Sequence, residues 1–232
     1  MSESPLQPNA GKSLTIEVDG ASWARHPIQT HTITDADELV EVIKTYAEPH
    51  LQPGDLLFMS ERMVAITQGR AYPIESITPS KLASFLVRFV TKTPAGIGLG
   101  SGWTMELAIR EVGAWRILLA SAVAALTKPF GVRGMFYRVA GRRAAAIDGP
   151  TDNTLPPYNR YATLGPSKPD AVARSLRERL GHDVVIIDAN DLGVDVLGRT
   201  SGVSKAFAKA VFRDNPLGQS SQRTPLCIVR RA

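Results

Sequence analysis

Asp148 and Asp188 each close an apolar segment, Ala144-Ala145-Ala146-Ile147 in one case and Val184-Val185-Ile186-Ile187 in the other. An unbroken β-branched run is what a strand buried on both faces looks like, so Asp188 is expected at that strand's carboxyl end. Asp191 and Asp195 follow within one short loop, to which Asn190 and Gly193 lend turn chemistry. Carboxylates at strand ends are the oxygen ligands a hard divalent cation takes, and Mg²⁺ usually brings a phosphate with it. The competing use of the same residues is turn capping, the commoner employment of an aspartate after a strand.

Other chemistry-bearing residues carry less. Gly96-Ile97-Gly98-Leu99-Gly100-Ser101-Gly102 precedes an expected helix, and glycines there can let backbone amides approach a phosphate. No Walker Lys-Ser/Thr follows, and no strand with a later ribose-binding acid frames the run, so it reads as a flexible connection. Arg62 and Arg70 are candidates to meet phosphate or a substrate carboxylate, the alternative being solvated arginines at strand ends. His31, His50 and His182 read as surface residues, and Trp103 and Trp115 as core. With four histidines and one cysteine a structural zinc site is nearly excluded, and Cys227, inside an apolar run, reads as a buried small hydrophobe.

Bulk properties bound the rest. The 232 residues, 44% hydrophobic and 21% charged, suffice for one good-sized core. The expected organisation is a disordered leader over 1–12 and a single domain of two lobes over 13–232. No window reaches the length of a membrane span and no apolar signal core opens the chain, so a cytoplasmic protein without membrane contact is expected. The net charge of +5 permits an anionic partner. The basic residues are scattered and lack interleaved aromatics, which argues against nucleic acid, and composition alone does not choose the partner.

The positioning elements follow from periodicity and punctuation. Leu14, Ile16 and Val18 alternate as a strand; Thr34 is placed to cap a helix with Leu39, Val40, Ile43 and Ala47 on one face, stopped by Pro49. A turn at 52–55 leads into a strand at Leu56 to Met59, and a second strand is expected from Met63 to Thr67. A helix from Ser80 carries Leu82, Phe85, Leu86, Phe89 and Val90 and should pack on a sheet; another runs from Trp103 to Glu111, ended by Gly113. Trp115 to Ala120 reads as a strand, Ser121 to Thr127 as a short helix, and 131–143 as a turn and strand feeding Ala144 to Asp148. The proline-rich 149–169 is expected to be an extended surface connection. Then come a helix with Val172, Ala173, Leu176 and Leu180 inward and Gly181 at its end, the acid-ended strand, a helix from Ser204 to Phe212 and a closing strand from Pro225 to Arg230. Strands and helices mix without strict alternation, which predicts α+β with mixed, largely antiparallel sheets and flanking helices rather than a doubly wound sheet.

Four collinear pieces carry a resemblance. They are Gly54-Asp55-Leu56-Leu57-Phe58-Met59-Ser60-Glu61-Arg62-Met63-Val64 with its Gln68-Gly69-Arg70 turn, Ala146-Ile147-Asp148, Leu164-Gly165-Pro166-Ser167-Lys168-Pro169-Asp170, and Val185-Ile186-Ile187-Asp188. Their order over roughly residues 30 to 220 resembles the coenzyme F420-0:L-glutamate ligase family, the γ-glutamyl ligases that lengthen the tail of a deazaflavin cofactor. The resemblance implies two lobes with intertwined sheets, a homodimer, and a GTP-dependent amide ligase of coenzyme F420 biosynthesis acting on an acidic small molecule and glutamate. It further implies divalent ions, Mg²⁺ or Mn²⁺, held by acids including Asp148 and Asp188, with Asp191 added to the candidate metal set. Ser60, Arg62, Arg70 and Asn190 are the candidate nucleotide- and substrate-binding residues, and no side chain is assigned as a base. An acyl phosphate intermediate is the chemistry that suits such a set.

Two other readings compete. A non-catalytic relative that binds a nucleotide or other ligand is favoured by departures from the family's pattern: Ala189 where a Thr usually follows the second acid, Val194 where an Arg follows the glycine, Ser60-Glu61-Arg62 for Ser-Gln-Lys, and Ile66 for a lysine. A phosphatase with Asp188 as nucleophile ranks last, because Asp188-Ala189-Asn190-Asp191 lacks the usual second acid two residues on.

Overall fold

The backbone of the Val184–Ile187 run needs a ladder on each side, and a six-stranded sheet supplies it. The structure, a computed structural model, describes residues 6–90, 98–152, 154–190, 193–218 and 222–232. The chain forms two compact units, one made of the chain up to Gly69 together with the chain from Pro166, the other of Arg70–Gly165.

The first unit opens with β1 (Thr15–Val18), β2 (Ala21–Ile28), α1 (Leu39–Tyr46), β3 (Leu56–Ser60) and α2 (Glu61–Thr67). The second unit contributes β4 (Ala71–Pro73), α3 (Lys81–Leu86), α4 (Gly102–Val112), α5 (Ala114–Thr127), α6 (Met135–Ala140), α7 (Arg142–Ala145) and β5 (Tyr161–Thr163). Back in the first unit come α8 (Pro169–Leu180), β6 (Asp183–Asn190), β7 (Gly193–Arg199), α9 (Lys205–Val211) and β8 (Leu226–Arg231). The large sheet runs β1-β2-β8-β3-β6-β7, and among the described residues its one parallel pair is β3 with β6. The chain is thus α+β with a mixed, largely antiparallel sheet, as its element pattern predicts.

β6 is buried on both faces because each face has its own cover. Val185 and Ile187 point into a core with Phe58, Val196, Ala208, Val211, Phe212, Cys227 and Val229, where the Phe58 and Phe212 rings stack at 4.5 Å. Val184 and Ile186 alternate onto the opposite face. Gly198 pairs with Ile186 on β7, and a Cβ on it would lie 2.4 Å from the Pro169 carbonyl carbon, so α8 crosses that face at van der Waals distance. Each apolar side chain so enclosed contributes roughly 1.5–3 kcal/mol. Cys227 is fully buried and its thiol is pushed well above the usual range by desolvation, which matches its reading as a hydrophobe.

One polar group interrupts this core. The Arg25 guanidinium is fully buried, paired with Asp214 and donating to the carbonyls of Ser13 (2.7 Å) and Val211 (3.2 Å). Burial pushes the Asp214 carboxyl up, but the Arg25 hydrogen bonds and charge outweigh it and hold the group below the usual carboxylate range.

In the second unit a core of Leu99, Met105, Leu107, Ala108, Ile117, Ala140, Ala144, Ile147 and Ala162 lies among short helices, with Tyr72 and Trp103 partly buried against it. Ser101 and Thr104 form a capping box that starts α4, and Gly113, at φ 90°, allows the turn directly into α5. Glu106 accepts from the Ser80 backbone (2.9 Å) and from Arg110 (3.0 Å), tying the start of α3 to α4.

Several expected elements differ. Met63 to Thr67 belongs to α2, not a strand: Ser60 caps it, and Met63, Val64, Ala65 and Ile66 are all buried, so no polar face displays the helical period. Trp115 to Ala120 lies in α5, and residues 131–143 hold α6 and the start of α7 rather than a strand. Trp115 is 81% exposed, not core. The α3 helix packs on α4 instead of on a sheet, leaving Phe85 and Phe89 exposed. Thr34 does not cap α1; Glu38 occupies that position without a side-chain bond, while Asp37 accepts from the Thr34 backbone and hydroxyl. β2 has no counterpart in the sequence reading, and β5 lies inside the segment read as an extended connection.

Candidate functional site

The parallel pair decides where the acidic end of β6 falls. Ser60 of β3 is in register with Ile187, so Asp188 stands one residue beyond the level at which β3 ends and α2 begins. In open sheets the carboxyl ends of parallel strands are where ligands bind, because the following turns leave backbone and side-chain polar groups facing one crevice. The Ser60 hydroxyl accepts from the Arg62 backbone at 3.3 Å, which places both residues at the start of α2.

Asp188 does not end its strand. β6 runs on to Asn190 and pairs antiparallel with β7, setting Asp188 opposite Asp195 and Ala189 opposite Val194. Directly opposed residues share a face with Cβ atoms ~5 Å apart, so two carboxylates converge there. The Asn190 amide, on the same face by alternation, donates to Asp188 Oδ1 at 3.4 Å. Asp195 accepts from the Val196 backbone (3.0 Å) and stands 3.8 Å from the Lys209 ammonium. Two carboxylates and an amide are hard oxygen donors, a set that fits Mg²⁺ or Mn²⁺ and not a soft metal. Among the described residues no group of three or more His, Cys, Asp or Glu is gathered around one point. Asp191 lies outside the described residues.

The remaining candidates are in the second unit. Asp148 is exposed and exchanges both backbone hydrogen bonds with Thr163 at 2.9 Å, an isolated bridge where a strand end was expected. The Arg70 guanidinium donates through Nε to the Gly165 carbonyl and through Nη2 to Glu111, both at 2.7 Å, and Arg143 also donates to Glu111. Arg70 is therefore engaged within its own unit. Ser60, Arg62, Asp188 and Asn190 share the first unit. The acid opposite Asp188 was not among the candidates; reading 184–199 as a hairpin about its central turn would have paired 188 with 195.

Fold and site define an α+β protein that gathers acidic side chains near the carboxyl end of one parallel strand pair. The chain belongs to the F420-0:Gamma-glutamyl ligase family, whose model matches residues 27–200. That span contains β3, β6, β7 and every candidate site residue, but not β8, the strand between β2 and β3. No curated protein matches the chain. Family membership supports a ligase-type function in coenzyme F420 biosynthesis with small-molecule substrates. Among the described residues no helix is long and apolar enough to cross a membrane.

Proposed function

We propose that this chain is a GTP- and divalent-metal-dependent amide ligase joining glutamate to an acidic small molecule. The observation that carries the reading is the Asp188–Asp195 pair with Asn190 beside it, one residue beyond the β3–α2 junction, in a chain of this family. Bound Mg²⁺ or Mn²⁺ would neutralise phosphate oxygens. Asp188 would hold metal through its carboxylate, with Asn190 orienting it, and Asp191 and Asp148 are each proposed as metal ligands as well. Ser60 and Arg62 lie beside that end of the sheet, where a hydroxyl and a guanidinium can meet phosphate or substrate carboxylate. A substrate carboxylate oxygen attacks the γ-phosphorus of GTP and GDP leaves, giving an acyl phosphate. The glutamate amine then attacks the acyl carbon, phosphate departs, and the nitrogen releases its proton to water. In this scheme the aspartates position and do not act as bases.

The test is calorimetric titration of GTP into the protein with Mg²⁺ or Mn²⁺. Binding that needs the metal and disappears in Asp188→Asn is expected; absence of binding with both metals sinks the reading.

A second reading, a non-catalytic relative that binds nucleotide or another ligand, draws on Ala189 and Val194. They pair across the hairpin and pack as partly buried hydrophobics on the sheet core, where the family's pattern has a hydroxyl and a guanidinium. GTP consumption on adding glutamate and an acidic acceptor would eliminate it.

A homodimer completes the proposal. Large apolar side chains stand exposed along α5 and its surroundings, with Trp115 at 81%, Leu126 at 71% and Phe130 at 84%. Trp115, Leu118, Leu119 and Leu126 recur at helical spacing on that helix, a stripe of the kind a second copy would cover.

A further inference from the structure

At the opposite end of β6 lies a cleft that the ligase reading does not use. Arg199 pairs with Val185 and Thr200 follows it, so this cleft opens at the amino end of the strand, about 10 Å along β6 from Asp188. Its volume is about 630 Å³, and it is lined by Asp170, Arg174, Arg177, Glu178, Arg199, Thr200, Ser201 and Lys205. The cations come from two directions: Arg174 and Arg177 from one flank of α8, Arg199 from the end of β7 and Lys205 from the start of α9.

The walls are held in place by contacts of their own. The Asp170 carboxylate accepts from the Arg199 backbone at 3.1 Å, and Gly198 admits the start of α8 where any side chain would collide. The Arg199 guanidinium donates to the Val203 carbonyl (2.6 Å) and the Thr200 carbonyl (3.3 Å), pinning the loop. Thr200 donates to Asp183 at 2.6 Å, and Gly202 lets that carboxylate approach the loop backbone. Arg177 is matched by Asp183 at 3.3 Å. The Arg174 and Lys205 side chains, by contrast, make no hydrogen bond or ion pair among the described residues, although the Glu178 carboxylate lines the same cleft. Two unmatched cations held towards one concavity repel each other, and an anion between them removes that cost.

We propose that this cleft binds a phosphate-bearing small molecule, with Arg174 and Lys205 meeting the phosphate oxygens and the Ser201 hydroxyl donating to one of them. Asp170 and Glu178 hold the net charge of the lining to about that of a single dianion's counterpart, and no aromatic side chain lines the cleft to stack bases. A phosphate or diphosphate group therefore fits better than a nucleic-acid strand. The site is independent of the metal-end proposal, since it uses none of its residues.

Pyrophosphate titrated by calorimetry, with a chelator present to silence divalent ions, tests the assignment. The unaltered protein should bind, and the Arg174→Ala/Lys205→Ala double variant should bind about tenfold or more weakly with an unchanged melting temperature. Asp188→Asn should bind pyrophosphate as the unaltered protein does. Undiminished binding in the double variant would overturn the proposal, as would no binding at all. Displacement of pyrophosphate by an equal concentration of sulfate, or by a short single-stranded oligonucleotide at lower concentration, would overturn it too.

Discussion

The two compact units solve burial in different ways. Around β6 the large side chains are enclosed from both sides of a sheet, and the buried charge Arg25 is matched by Asp214. In the second unit the same kinds of side chain stay outside: Phe85, Phe89, Trp115, Leu118, Leu119, Leu126, Phe130, Val132 and Tyr137 are all exposed, and all belong to that unit. A sheet covered on both faces closes its own core, whereas a helix such as α5 buries a narrow stripe, here Ile117 and Ala120, and presents the rest. The first unit is thereby self-sufficient in packing, and the second carries a surface that gains from being covered.

The contrast is sharpest for two aromatics. Phe58→Ala empties a fully buried site stacked on Phe212 and should cost about 3–5 kcal/mol, read as the shift in a urea unfolding curve. If it is tolerated without measurable loss, the enclosed-core picture of the first unit is wrong.

Charge in the first unit provides the next test. Burial pushes the Asp55 carboxyl up, but the Arg230 hydrogen bonds at 2.6 and 2.8 Å, with the Gln52 backbone, hold it below the usual range. A lowered folded value means the pairing contributes fully when pH is above the unfolded carboxyl's value, about 4, and is lost as pH falls below it. Asp214 acts in the same direction. Chemical unfolding from pH 7 down to 3 should therefore show stability falling below about pH 4, and Asp55→Asn should be destabilised by roughly 2 kcal/mol at neutral pH with a shallower acid dependence. Equal acid slopes for the two proteins would contradict this.

The smallest effect on folding belongs to the second unit. Trp115→Glu should change the stability of dilute protein by no more than about 0.5 kcal/mol. Sedimentation should nevertheless show self-association weakened. A large loss of monomer stability would mean that Trp115 packs against its own chain and that the two units do not differ as described.

The parts of the fold that could be read from the chain are those with a local cause. Val184–Ile187 could be read because four consecutive β-branched residues have one comfortable conformation, and α8 because Pro169, Gly181 and an inward Ala173–Leu176 stripe bracket it. Trp115 to Ala120 misled because α5 is apolar on nearly every face, and a uniformly apolar run has no period to betray a helix. α2 misled for the same reason in a buried setting. At the site, Asp188 was visible as the acid after a buried run, while its opposition to Asp195 depended on where the hairpin turned. Arg70 was visible as a guanidinium but not as a partner of Glu111, 41 positions away in sequence.

The residues alone determined the α+β character, the buried strand, its acidic end and the collinear motifs of the family. Only the tertiary structure decided that β8 is inserted between β2 and β3, that Asp195 faces Asp188, and that Arg174 and Lys205 open on one cleft. The physical reason is range. Conformational preference and burial pattern are written within a few neighbouring residues, whereas the partner a strand or a charge meets depends on which distant segment gives the best total burial, and no short window of sequence contains that choice.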